Sequence, residues 1–411
     1  MQPLEGIRVL DFTHALAGAA CTNSLGRFGA RVTKVERPGV GDDLRHYTEH
    51  AGMPQMALPF CSANAGKRSV TLNLEHPQAA GIVARMVRDA DIVVENFRPG
   101  VAGKLGIDWP ALSRINPRLI YCSVSGFGQS GPLRDWTAYD HIVQAMSGIM
   151  WVNGEPERGP LKVGMPAVDT FTGFLAALAV LAALRRAEAT GQGEFIDVAM
   201  IDAALLLMSS TVATFLYSGQ LPKRLGNQGY RLVPTAGMFP TADGFIAIGA
   251  NHQHQVERLF QVLGISGLLN DQRFSTHGSR QAHGAELHEL LRGLIASQQT
   301  ATLEKLLAEA RVPASKVRSI DESTSHPQVA ERHLIVEAAV PGRPQPIRIL
   351  RGAPRLAGAA DAVGAVPQLG EHTAEVMREL GLSATEIEVA FGGGLLWRPP
   401  ARPDQGEGND S

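Results

Sequence analysis

Short runs in which apolar and polar positions alternate recur through the first half of the chain, separated by stretches with a helical period. "IRVLDF", "RVTKVE", "SVTLNL", "DIVVENF" and "LIYCSVS" read as strands, and "TNSLGRFGA" and "HPQAAGIVARMVRDA" as helices between them. That rhythm predicts βαβ units and a parallel sheet. Two helical segments follow, near Tyr139–Met150 and Asp169–Ala189, then the strand "FIDVAM" and one apolar helix through "LLLMSSTVATFLY".

Near Leu221 the texture changes. In "GMFPTADGFIAIGA" the Asp243-Gly244 pair between apolar runs signals a hairpin, and amphipathic helices continue to about Ala310. Strand-like "IRIL" and the helical "HTAEVMRELGL" then resume the earlier pattern. The expected organisation is α/β. A large Rossmann-like domain spans 1–220 and is completed by 327–397, a smaller α+β domain spans 221–326, and the proline-rich, polar 398–411 forms a disordered tail. The run "FTGFLAALAVLAALRR" is shorter than the roughly 18 to 20 apolar residues of a membrane span and reads as a core helix.

Composition narrows the partners. A formal net charge of -2 and 19% charged residues give no support to a nucleic-acid or acidic-membrane partner, so an anionic ligand must be met by a local basic cluster. The three cysteines, Cys21, Cys61 and Cys122, are far apart and lack a C-x-x-C spacing, which argues against a disulfide framework and against a zinc site. With no signal-peptide pattern in "MQPLEGIRVLDF", a reducing cytoplasmic setting is expected.

Gly126 to Gly131, "GFGQSG", matches G-x-G-x-x-G directly after a strand. That pattern binds a dinucleotide when it opens a helix whose N-terminus faces the pyrophosphate, and here Pro132 and "LRDWTAYD" follow with no helical period. A dinucleotide-dependent oxidoreductase is therefore the weaker reading.

A stronger one rests on motif order. "DFTHALAGAACTNSLGRFGARVTKVERPGVGDDLR", "NAGKRSVTLNL", "VENFRPGVAGKLGI", "YCSVSGFGQSGP", "AYDHIVQAMSG", "DTFTG", "GQGEFIDVAM" and "LGEHTAEVMRELGL" together resemble the class III CoA-transferases, the CaiB/BaiF family, from about Pro3 to Leu382. Coenzyme A carries phosphates at one end and an uncharged arm at the other, so its site needs clustered cations beside a neutral channel. Arg37, Arg45, Lys67, Arg68, Arg98 and Lys104 all lie just after predicted strands, where open α/β sheets bind ligands. The resemblance favours Arg37, Asn96, Phe97 and Lys104 as coenzyme contacts, with Arg45, Lys67 and Arg98 in the basic cluster and Tyr139 near the pantetheine arm.

Read from the residues alone, Asp169 is a helix N-cap. The resemblance makes it the nucleophile, attacking an acyl-CoA thioester and later carrying CoA itself, at a helix end whose dipole keeps the carboxylate ionised. No tightly bound cofactor and no metal are implied; coenzyme A enters as part of the substrate, with a carboxylic acid as the other partner. The family also implies an interlocked homodimer. The α-methylacyl-CoA racemases of this superfamily pair the aspartate with a histidine in "GHD"; here "AYDH" puts Tyr139 in its place, and His141, two positions on, points elsewhere if both lie on a helix. Racemase thus stands second. Formyl and oxalate transferases carry a glutamine where this chain has Leu16, and a glycine run where it has "GANHQHQVERLF", which weighs against those acids. Arg224 and Arg231 in "RLGNQGYRLVP" suit the far carboxylate of a short dicarboxylate.

Overall fold

A computed structural model describes residues 2–48, 53, 55–352, 354, 356 and 363–399. The chain divides into two compact units. The larger comprises 1–149, 163–218 and the chain from Ala330; the smaller comprises 150–162 and 219–329.

Six strands of the larger unit form one sheet: β1 (Arg8–Asp11), β2 (Arg31–Glu36), β3 (Arg68–Thr71), β4 (Ile92–Glu95), β5 (Ile120–Ser125) and β6 (Glu194–Ala199). Every neighbouring pair is parallel and the order is β3-β2-β1-β4-β5-β6. β4 and β5 are buried along their whole length because helices cover both faces. On one face Leu10, Val35, Val70, Val93 and Tyr121 meet helix residues Ile82, Met86, Met377 and Ile387. On the other, Val9, Val32, Val94, Cys122 and Val198 meet Leu25, Ala176 and Val180.

The helices of this unit, in chain order, begin with α1 (Ala17–Arg27), α2 (Leu58–Asn64), α3 (Ala79–Arg88), α4 (Val101–Lys104) and α5 (Trp109–Ile115). They continue with α6 (Asp140–Ser147), the short α7 (Ile149–Val152) that leads into the smaller unit, α8 (Ala167–Thr190), α9 (Met200–Leu207) and α10 (Ser209–Ser218). The single helix expected through "LLLMSSTVATFLY" is two helices bent by 78° at the break, where Met208 leads into the Ser209-Ser210 pair.

α8 extends beyond its apolar run at both ends, and its 24 residues meet the length and hydropathy of a membrane span, with a mean hydropathy of 1.9 over an 18-residue window. Small residues line the face it turns inward: Gly173, Ala176, Ala177, Ala183 and Ala187 are buried. At Gly173 the approach to α1 is closest, since a Cβ there would lie 2.5 Å from the Ala20 side chain and 2.6 Å from the Ala17 carbonyl oxygen. Gly173→Ala is therefore expected to lower stability by about 1–3 kcal/mol, because backbone must move to admit one methyl. Gly81→Ala, on α3 with open space around it, is expected to be neutral or stabilising. Denaturant midpoints of the two variants check the pair.

Chain from Ala330 packs back on the larger unit. The antiparallel pair Ile335–Ala338 and Ile347–Leu350 shares a core with Phe60, Cys61 and Ala63 of α2. The helix Thr373–Glu379 lies along β3, where Arg68 pairs with Glu375 and Glu379 at 2.9 Å each. Arg398, placed by its sequence in a disordered tail, pairs with Glu388 and stacks on Phe391; residues 400–411 of that tail lie outside the described residues. In the smaller unit an antiparallel sheet of Ala236–Pro240, Phe245–Gly249 and Ala314–Lys316 packs on helices through Phe239, Ile246, Phe260 and Leu291. The hairpin turn falls at Asp243-Gly244, with Thr241 N–H bonded to the Gly244 carbonyl.

Candidate active site

Strand order reverses between β1 and β4, and in such sheets the loops at the carboxyl ends part there to leave a ligand crevice. Here the two loops are stapled together. The Asn96 side chain accepts from His14 N–H at 2.7 Å and donates to the His14 carbonyl at 2.7 Å. The Phe97 ring meets the His14 ring edge-on at 5.6 Å, and Glu95 accepts from Phe97 N–H at 2.8 Å. Asn96 thus spends one donor and one acceptor on the fold. Ala15 is held at φ +56° by its N–H bond to Asp42.

Beneath the β1 loop lies a buried ion network that overturns two site expectations. Lys67 is not a ligand-facing cation: its ammonium bonds Asp11 at 2.9 Å, Thr22 at 2.7 Å and Asn64 at 2.8 Å, and is closed off from solvent. Arg45 is likewise consumed, clamped on Glu36 by two bonds of 2.8 Å and stacked on Phe60. Both follow from the same physics, since a cation whose stem the backbone turns inward must find a buried partner. Lys34 completes the network, donating to the Thr13 carbonyl at 2.7 Å and pairing with Asp42 at 2.8 Å. Burial alone would raise the Asp11 carboxyl, but the Lys34 and Lys67 charges hold it well below the usual range.

Arg37, Arg98 and Lys104 keep their exposure at the carboxyl edge. Among the described residues Arg37 pairs with exposed Asp43, while Arg98 and Lys104 stand on the loop and helix after β4. Tyr139 is exposed and occupies the N-cap of α6 in extended backbone. Because it lies outside the helix, its ring comes parallel to that of His141, centroids 6.3 Å apart, rather than pointing away as helical spacing requires. Tyr47, which no motif singles out, lies in the same field: burial raises its phenol, and so do Tyr139, Asp43, Asp42 and Asp169.

The chain path delivers Asp169 to this edge. α8 is the crossover into β6 and ends only three residues before it, so its C-terminus lies at the amino edge of the sheet. Its 24 residues rise roughly 36 Å, enough to carry its N-terminus past the carboxyl ends of the strands. Asp169 stands one turn before Gly173, the residue that touches Ala17 at the start of α1.

Asp169 is not the cap of its helix. Asp140 on α6 accepts from Val168 N–H at 2.8 Å and from Asp169 N–H at 3.0 Å, a pairing no local pattern announces. Nor is Asp169 kept ionised by the helix end. Burial, followed by the Asp140 charge, pushes its carboxyl up to about 7.

The "GFGQSG" turn has structural reasons for its glycines. A Cβ on Gly126 would lie 2.2 Å from that of Ala138, and Gly128 sits at φ +88°. Its amides serve the protein itself, Gly128 N–H bonding Ser125 and Gln129 N–H bonding Asp197, and the next helix opens only at Asp140. In the smaller unit Arg224 stacks on Trp151 and bonds the Trp151 and Glu155 carbonyls, while Arg231 is exposed.

These features define a doubly wound α/β protein with cations, and a carboxylate that accepts no hydrogen bond among the described residues, at the carboxyl edge of its sheet. The chain belongs to CoA-transferase family III, whose model matches residues 4–373. It is 37% identical to the succinate–glutarate CoA-transferase of Agrobacterium fabrum, with 92% of this chain and 96% of that one covered. To the succinyl-CoA–D-citramalate CoA-transferase of Chloroflexus aurantiacus it is 36% identical, over 95% of this chain and 96% of the relative. A crystal structure of a CaiB/BaiF family protein from Brucella suis superposes with a TM-score of 0.82 at 34% identity, covering 92% of this chain and 99% of that one. The protein is accordingly an enzyme of the CoA-transferase type, acting on CoA thioesters.

Proposed function

We propose that the enzyme moves coenzyme A from a short dicarboxylyl-CoA to a carboxylate acceptor through a covalent aspartyl-CoA at Asp169. The observation that carries this reading is the half-buried Asp169 carboxylate, which accepts no hydrogen bond among the described residues and stands at the crevice edge. One Asp169 oxygen attacks the thioester carbonyl, and collapse expels CoA as thiolate and leaves a mixed anhydride. The thiolate then attacks the aspartyl carbonyl, the donor acid departs as carboxylate, and an aspartyl thioester remains. The acceptor carboxylate reverses both steps. Dividing the exchange in this way keeps each step between an activated carbonyl and one nucleophile.

The substrate class is supported by the names of the relatives: succinate, glutarate and citramalate each carry a second carboxylate. Incubating the enzyme with succinyl-CoA is expected to raise its intact mass by that of CoA less one water, on the peptide containing Asp169. A panel of mono- and dicarboxylic acids then identifies the acceptor by which acid discharges the adduct. Absence of any hydroxylamine-sensitive adduct would sink the mechanism.

Arg37 and Lys104 fit the phosphate end of the coenzyme. Arg37→Ala and Lys104→Ala are expected to raise the KM for acyl-CoA severalfold with kcat nearly intact, because contacts remote from the reacting carbonyl are made equally in ground and transition states. Unchanged KM in both removes them from the site.

The reading includes a homodimer. Its support is the apolar surface that the larger unit leaves open, with Phe174 and Leu178 on α8, Leu206 on α9 and Leu216 on α10 all exposed. Light scattering is expected to give about twice the 43.9 kDa chain mass down to nanomolar concentration.

A further inference from the structure

We propose that Asp140 is a positioning residue for the nucleophile: by taking the amide groups at the start of α8, it leaves both oxygens of Asp169 free and sets a second negative charge beside them. The inference rests on Asp169 being the nucleophile.

α8 begins without a cap of its own. Its N-cap is Pro166, which has no side-chain acceptor, and Asp169 in the first turn is the nearest acid able to fold back on the helix amides. That arrangement would stabilise the helix and disable the reaction. A carboxylate bonded to its own helix N–H groups has its lone pairs engaged and its basicity lowered, and both oppose attack on a carbonyl. Asp140 removes the conflict by accepting from Val168 and Asp169 N–H through one oxygen, at 2.8 and 3.0 Å. Its other oxygen accepts from the Gln144 amide, and Gln144, fully buried, accepts from Val163 N–H at 2.9 Å. Two side chains of α6 therefore fix three backbone donors of the segment that delivers the nucleophile.

The charge acts in the same direction as the geometry. Attack transfers negative charge from Asp169 to the thioester oxygen, so an anion beside Asp169 disfavours the reactant more than the transition state. Among the described residues Asp140 is the charged group that contributes to the field at Asp169, and the Tyr47 phenol is the other titratable group coupled to it. The α1 residues that meet α8 at this level, Ala17, Ala20 and Cys21, carry no charge, nor do Cys122, Val124 and Val198 of β5 and β6; Asp202 on α9 is exposed and adds nothing.

Asp140→Asn keeps an acceptor oxygen and removes the charge. Single-turnover formation of the protein-bound CoA thioester, followed by quenched intact-mass measurement from about pH 5 to pH 9, separates the roles. Wild type is expected to gain rate as pH rises through about 7. In Asp140→Asn that rise should move down by about one pH unit, and the plateau rate should fall about tenfold. Asp140→Ser, which also retains an oxygen without charge, gives the same comparison if the asparagine variant does not fold. A folded variant whose profile superimposes on wild type overturns the inference and leaves the nucleophile intact. A wild type that forms no adduct at any pH overturns both.

Discussion

Asp169→Asn is expected to abolish CoA exchange, by about a thousandfold or more, while acyl-CoA still binds. An amide cannot form the anhydride, and Asp140, the neighbouring carboxylate, is committed to the α8 amides. The same variant carries a second signature. Asp169 titrates near 7 in the folded chain, above the ordinary value of about 4 in an unfolded one. Between those values the folded state binds more protons, so its stability falls as pH rises through that window. Asp169→Asn removes this loss and should melt at a higher temperature than wild type at about pH 8, with little difference at about pH 4. Transfer within tenfold of wild type would remove Asp169 from the chemistry; equal melting temperatures at about pH 8 would mean that its carboxyl is not raised.

Lys34→Met is expected to cost about 3–5 kcal/mol of stability, the largest loss of any single substitution considered. Lys34 is completely buried, and its ammonium lies 2.8 Å from Asp42 and 3.9 Å from Asp11 while bonding the Thr13 carbonyl. Methionine fills the volume but leaves two buried acids short of a counter-charge. Burial tends to raise both carboxyls, yet the lysine charges hold both below their ordinary values in the folded chain. Their contribution is therefore present above about pH 4 and is lost as pH falls toward the folded values. It follows that the deficit of Lys34→Met should be full near neutrality and shrink in acid, once the acids are neutral and need no partner. Urea midpoints at about pH 7 and about pH 4 test this, and a deficit below about 1 kcal/mol at the higher pH would show that Lys67 alone neutralises the pair.

Lys34, Lys67 and Arg45 also show where reading a sequence reaches its limit. On hydropathy each is a cation in or near the strands, which is how a phosphate-binding residue looks as well. Whether its charge meets a ligand or a buried acid depends on which strands become neighbours. Asp11 reaches Lys34 and Lys67 because β2, β1 and β3 assemble side by side, and Arg68 reaches Glu379 across 311 positions.

What the sequence determined by itself is what local chemistry encodes. The strand-like "RVTKVE" and the apolar "LIYCSVS", set among helical periods, predict a parallel sheet. The missing helical period after "GFGQSG" weighs against a dinucleotide loop there. The ordered motifs mark the family, and it is that resemblance, not the acid at the head of a long apolar helix, that singles out Asp169. Only the tertiary structure decided that strand order reverses between β1 and β4, that Asn96 staples the two loops at that reversal, and that Asp140 caps α8 from 28 and 29 positions away. It also decided the proton affinity of Asp169, which the helix dipole alone would lower and which burial beside a second acid raises. The physical reason is common to all of these. Period and propensity act over a few residues, whereas burial, field and hydrogen-bond partner are set by whatever the completed fold brings within a few ångströms.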